Sequence, residues 1–147
     1  MKILLDTNVL IAANVKTHPH HAFAEKWLFD MEKELAISAH SILETYSGLT
    51  RIPFKPKIKP AEANYIIIDI ILPKVEILTL EDSDYTKVVQ LMSENNFVGG
   101  IIYDAAIIHC AVRNGVKKIV TANLNHFQRI VNTFNYDCEI IDLLNRE

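Results

Sequence analysis

Long apolar runs, a cysteine framework and a surplus of basic charge are all missing from this 147-residue chain. The longest apolar run, Tyr65 to Leu72, is interrupted by Asp69 and is too short to span a bilayer. Asp6 interrupts the apolar segment near the N-terminus, so no secretory signal is expected. The two cysteines, Cys110 and Cys138, are too few for a disulfide framework. Cys110 lies in an apolar helical pattern and reads as a reduced core residue. These absences point to a cytoplasmic protein with no membrane partner. With four glycines, five prolines and half its residues hydrophobic, the chain leaves little room for disorder. One compact domain over residues 1–147 is expected, large enough to bury a sizeable core. A net charge of -3 offers no global attraction for nucleic acid. A phosphate-bearing partner has to be held locally, by a bound cation or a small basic patch.

What is present is organised around Ile3 to Ile11. An apolar run ends abruptly at Asp6 and a helix follows at once, as in a buried central strand of a parallel sheet. Further strands are expected at Leu35 to Ile37, Val75 to Leu78, Lys118 to Thr121 and near Cys138 to Ile141. Helices are expected between them. The first runs from Thr7 to Ala13. A second starts at Pro19, with Phe23, Trp27, Leu28 and Met31 on one face. A third, capped by Ser38 or Ser41, reaches about Thr50 with Ile42, Tyr46 and Leu49 as its apolar stripe. A fourth runs from Pro60 to Pro73. A fifth is capped by Ser83, with Asp82 and Asp84 serving its N-terminus. A sixth runs from Tyr103 or Asp104 to Asn114 and is stopped by Gly115. A short one begins at Phe127. Alternating strands and helices predict an α/β fold, a three-layer α/β/α sandwich with a central, mainly parallel sheet.

Four polar residues stand out against this pattern. Asp6 and Asn123 each follow a predicted strand, at the carboxyl edge where open parallel sheets collect ligands. Asp104 opens an otherwise apolar helix, and Glu44 lies on its helix away from the apolar stripe. Singly, each has a plainer explanation. Asp6 and Asp104 suit helix N-caps, Glu44 a solvated face and Asn123 a turn. Together they would set three carboxylates at one point, tolerable only around a cation, and hard oxygen ligands suit Mg²⁺ or Mn²⁺. Arg51 lies seven residues beyond Glu44, nearly two turns on, with Ser47 and Gly48 between. It leads into a Pro-rich segment carrying Lys55, Lys57 and Lys59. A metal-binding acid beside a basic stripe suits a polyanion held at a metal.

Leu5 to Ile11 resembles the opening motif of PIN-domain ribonucleases. The likeness continues through Ile42-Leu43-Glu44, Asp104-Ala105-Ala106-Ile107 and Val120 to Asn123 followed by His126-Phe127, and it covers essentially the whole chain. In size it looks most like VapC, the toxin of bacterial and archaeal toxin–antitoxin pairs. The resemblance implies a Mg²⁺- or Mn²⁺-dependent endoribonuclease with Asp6 and Asp104 as principal metal ligands. Glu44 would be the third acid, binding metal or orienting water, and Thr7, Asn8 and Thr121 would support the site by hydrogen bonds. Asn123 stands where the family often has a fourth acid. A neutral amide there lowers the charge of the site, which weakens the case for a second ion. Arg51, Lys55, Lys57 and Lys59 would hold flanking RNA phosphates. The implied partners are an RNA substrate and a cognate antitoxin, and exposed apolar faces suit a homodimer. Two rivals stand beside this reading. One is a catalytically inactive RNA-binding or scaffolding module. The other is a phosphotransferase using Asp6 as nucleophile, for which Asp6-Thr7-Asn8 lacks a second acid. His18, His20 and His21 read as an exposed polar turn, and His109 as a core or interface residue.

Overall fold

A computed structural model describes residues 1–30 and 32–145. Five strands form one sheet in the order β3-β2-β1-β4-β5, with every neighbouring pair parallel. They are β1 (Lys2–Leu5), β2 (Glu34–Ser38), β3 (Val75–Leu78), β4 (Lys118–Thr121) and β5 (Glu139–Asp142). β1 is central, pairing Leu4 with Ala36 of β2 on one side and with Ile119 of β4 on the other. From β1 the chain builds outward through β2 and β3, then returns to the other side for β4 and β5. The gap between the ends of β1 and β4 is therefore a topological switch point, where such sheets bind ligands.

Strand periodicity sorts the core into two layers. Ile3, Leu5, Leu35, Ile37 and Val120 face one layer, packed with α1 (Thr7–Asn14), α2 (His21–Leu28), Leu49 of α3 (Ala39–Arg51) and α4 (Pro60–Tyr65). Leu4, Ala36, Ile119 and Ile140 face the other, packed with α5 (Asp82–Glu94), α6 (Ile101–Arg113) and α7 (Leu124–Phe134). Both faces are covered, which is why β1 and β4 read as near-continuous apolar runs. The expected three-layer α/β/α fold is the observed one.

Several element expectations need correction. On α3 the buried residues are Ser41, Thr45, Gly48 and Leu49, while Tyr46 is 42% exposed. The expected stripe of Ile42, Tyr46 and Leu49 is rotated because α3 lies close against α1. A Cβ on Gly48 would stand 2.4 Å from Ile11 Cδ1, so small residues take the buried face. The helix expected from Pro60 to Pro73 leaves α-geometry at Ile66, continuing as a π-helical stretch (Ile66–Ile71) and a 3₁₀ turn (Leu72–Lys74). Pro73 lacks the N–H that would continue an α-helical ladder. α5 begins one residue before the expected Ser83, and its cap is Glu81, whose N–H donates to Asp84 Oδ2 at 2.8 Å. α6 starts at Ile101, before the expected Tyr103 or Asp104, and Gly115 at φ +75° follows its end. α7 starts at Leu124 rather than Phe127 and is closed by Asn135, which follows it in the left-handed region. α2 starts at His21, not Pro19, with Trp27 and Leu28 buried; Met31, expected on the same face, lies outside the described residues. Among the described residues no helix is long and apolar enough to cross a membrane.

Candidate active site

Asp6 follows β1 and is 4% exposed. Its backbone N–H donates to Val120 O at 3.0 Å, carrying the β1–β4 ladder one residue past the strand. Its Oδ1 accepts from the Thr7 N–H at 2.7 Å and its Oδ2 from the Thr121 hydroxyl at 2.7 Å. Thr121 Oγ1 in turn accepts from the Asn123 N–H at 3.0 Å and from the Asn8 amide at 3.4 Å. Asn8 Oδ1 takes the Ala122 N–H at 3.2 Å. The start of α1 and the β4–α7 turn are thus stitched together around one buried carboxylate. Thr7 lies on the other flank. Its hydroxyl is 3.0 Å from that of Ser41 and donates to Glu44 Oε1 at 3.2 Å.

Asp6, Glu44 and Asp104 line one open cleft of about 310 Å³, with Thr7, Asn8, Ile11, Ser47, Gly48, Arg51 and Ile52. The face of α3 that carries Glu44, Ser47, Gly48 and Arg51 is therefore the wall of the cleft. The acids share this space without being drawn together: among the described residues no three His, Cys, Asp or Glu side chains already form a metal-ligand cluster. Asn123 and Lys55, Lys57 and Lys59 do not line the cleft. The three lysines are exposed on the loop after α3. The Asn123 amide instead lies 3.0 Å from His126 Nδ1.

The electrostatics of the acids are unfavourable. Burial pushes the Asp6 carboxyl from 3.8 up to about 7; Asp104 and Glu44 add repulsion, against the Thr121 and Thr7 hydrogen bonds, which lower it. Burial pushes Asp104 up to about 6, with Glu44 adding repulsion and His126 opposing it. Helix capping does not account for Asp104. It is the fourth residue of α6, with Gly100 at the cap. Asp6 does stand at the α1 cap position, but it bonds the first helical N–H rather than the second or third.

Three neighbours were given no role at the site by the sequence, although Ser41 was a candidate helix cap and His126 stood in the family motif. Ser41 meets Thr7. His40 sits one turn before Glu44, its Nε2 3.9 Å from Glu44 Oε1. His126 occupies the first turn of α7 and its charge reaches Asp104. The spacing i, i+4 for His40 and i, i+3 for His126 after Asn123 was the available signal. Behind His40 an apolar hollow of about 180 Å³ is lined by Leu78, Leu80, Tyr85, Val88, Val89, Ile102 and Tyr103, among others. The rings of His40 and Tyr103, both lining it, stack 5.7 Å apart and 9° from parallel. His18 and His21 are tied into the α1–α2 turn, His18 Nδ1 by the His20 N–H and His21 Nδ1 against Ala12 O.

Comparison with known proteins gives this arrangement its relatives. Residues 3–132 match the family model of the PIN domain. The chain is 31% identical over 112 residues to the ribonuclease VapC40 of Mycobacterium tuberculosis, covering 76% of this chain and 80% of that one. Its fold is similar to that of VapBC2 from Rickettsia felis, solved bound to a promoter DNA fragment, with a TM-score of 0.66, 21% identity, and coverage of 97% and 98% of the two chains. It is also similar to Mycobacterium tuberculosis VapC20, a sarcin-ricin loop cleaving toxin, with a TM-score of 0.65, 14% identity, and coverage of 80% and 86%. The chain belongs to the PIN domain family.

Proposed function

We propose that this protein is a divalent-metal-dependent endoribonuclease, the toxin of a toxin–antitoxin pair. The observation that carries the reading is that Asp6, Glu44 and Asp104, from three distant segments, line one cleft at the switch point of the sheet. Burial raises the pKa of two of them strongly, and repulsion from neighbouring carboxylates raises them further. The ribonuclease names of the relatives support the same substrate class. An inactive binding or scaffolding module has no use for this repulsion, and a phosphotransferase would need a second acid beside Asp6.

The donor set fits a hard cation, because Asp6, Glu44 and Asp104 all bring carboxylate oxygens to one cleft. Asp6 and Asp104 would hold Mg²⁺ or Mn²⁺, with Glu44 binding directly or through water. When bound, such an ion supplies polarisation of a phosphoryl oxygen and a water of lowered pKa. The residues of the chain do the rest. Thr121 and the Thr7 N–H fix the Asp6 carboxylate, and Thr7 fixes that of Glu44. Arg51, on the same wall, holds a flanking phosphate without reading a base. Lys55, Lys57 and Lys59, exposed on the adjoining loop, extend that path along the RNA backbone.

A protein partner is part of the proposal. The VapBC2 assembly of Rickettsia felis supports a cognate antitoxin. Exposed Leu43 and Tyr46 on α3 and Tyr85 and Val89 on α5 support a homodimer. The direct test is cleavage of single-stranded RNA by the purified protein. Cleavage in Mg²⁺ or Mn²⁺ that stops with chelator and in Asp104→Asn is expected. Cleavage unaffected by chelator, or full activity in Asp104→Asn, contradicts the proposal.

A further inference from the structure

The β4–α7 turn carries a pair of side chains that the account above leaves unused. Asn123 is the cap residue of α7 and His126 lies in its first turn. The Asn123 Nδ2 group stands 3.0 Å from His126 Nδ1. With the amide donating, Nδ1 is the acceptor and a neutral ring carries its proton on Nε2. The ring is solvent-exposed. The same turn is tied to the site, because the Asn123 N–H binds the Thr121 hydroxyl that binds Asp6. The imidazole also stands within electrostatic reach of Asp104. Arg51 lines the cleft from α3, whereas His126, carried by the first turn of α7, stands outside its lining.

We propose that His126, oriented by Asn123, is a further substrate-contacting residue whose Nε2–H donates to a phosphate oxygen of the RNA. The inference rests on the ribonuclease reading above. It gives the neutral residue at position 123 a task that an acid there would serve differently: Asn123 presents a ring to the phosphate instead of adding charge to the metal ligands. His126 is thereby a hydrogen-bond donor and Asn123 a positioning residue.

Three measurements on the full chain test this. Single-turnover cleavage of a pool of labelled single-stranded RNA oligonucleotides should slow about tenfold to a hundredfold in His126→Ala, the scale of losing one donor at a reacting phosphate. His126→Gln, which keeps an N–H donor, should recover part of that loss. Asn123→Ala should slow cleavage too, and the double variant should be no slower than His126→Ala. Mn²⁺ affinity by calorimetry should stay within about twofold in His126→Ala, since the ring is not a ligand. In the free protein, ¹⁵N NMR of His126 should show the Nε2–H tautomer, and Asn123→Ala should lose that bias. Unchanged cleavage in His126→Ala, additive losses in the double variant, or collapse of Mn²⁺ binding in His126→Ala would each overturn the inference while leaving the ribonuclease reading intact. A wild-type protein that cleaves no RNA in Mg²⁺ or Mn²⁺ would overturn both.

Discussion

The two ends of α6 carry buried or half-buried charge in opposite ways. Toward its C-terminal end, His109 bridges Asp84 of α5 at 3.0 Å and the Tyr136 hydroxyl at 2.6 Å. Arg113 adds ion pairs to Asp84 and Glu81, each at 2.8 Å. Asp84 is thereby held below its ordinary pKa, first by the Glu81 N–H and then by His109 and Arg113. At the N-terminal end, burial raises the Asp104 pKa, with Glu44 adding repulsion and His126 opposing it, and Asp104 shares its cleft with Asp6 and Glu44. A carboxylate surrounded by donors and cations is finished structure. A carboxylate buried beside other carboxylates is held in place at a cost to stability, most of it from burial, and a bound cation would offset that cost.

The difference is broken most sharply by substitution at each end. Asp6→Asn or Asp104→Asn should lower RNA cleavage by at least about a thousandfold while circular dichroism shows an intact fold. His109→Ala should leave cleavage per folded molecule nearly unchanged and destabilise the fold by about 1–3 kcal/mol, because Asp84 and Tyr136 lose their shared partner. Equal losses of activity at both ends would erase the contrast.

Titration sharpens it further. An unfolded Asp6 ionises near 3.8, whereas in the folded chain it stays protonated until about 7. Between those values the native state binds more protons, so stability falls as pH rises through the window. The full rise corresponds to about 4 kcal/mol, an upper figure for a metal-free protein at pH 8. Asp6→Asn should therefore be more stable than the parent at pH 8, by about 1–3 kcal/mol after the altered hydrogen bonds are allowed for, and show no gain at pH 4. Thermal melts at the two pH values decide this; a variant destabilised equally at both contradicts it. The smallest expected effect is at Arg51. Arg51→Ala should weaken RNA binding and reduce its salt dependence by about one counterion without changing Mn²⁺ affinity.

Much of the fold was legible because the signals were local. The apolar run before Asp6, and the strands Val75–Leu78 and Lys118–Thr121, lie where their patterns put them. What was hidden depended on contacts between elements. The buried face of α3 is set by Gly48 meeting Ile11, which no helical periodicity reports. The cap of α5 is Glu81 because Asp84 reaches back to it, displacing Ser83 from that task. α6 begins in the apolar Ile101-Ile102, so Asp104 looked like a cap when it lies a turn inside the helix. At the site, Asp6, Asp104 and Asn123 were marked by their places at the ends of apolar elements, Glu44 by lying away from the apolar stripe of its helix, and Arg51 by standing seven residues beyond Glu44. His126 was not, because its neighbour Asn123 drew attention as a missing acid while the tie between them needs the turn of α7.

Titration of Mn²⁺ into the metal-free protein near pH 7, with released protons counted, tests the central claim most directly. The account predicts saturable binding accompanied by proton release from the Asp6 and Asp104 carboxyls, lost in Asp6→Asn and Asp104→Asn and retained in Asp84→Asn. Binding that survives both of the first two substitutions, or that releases no protons, would contradict it.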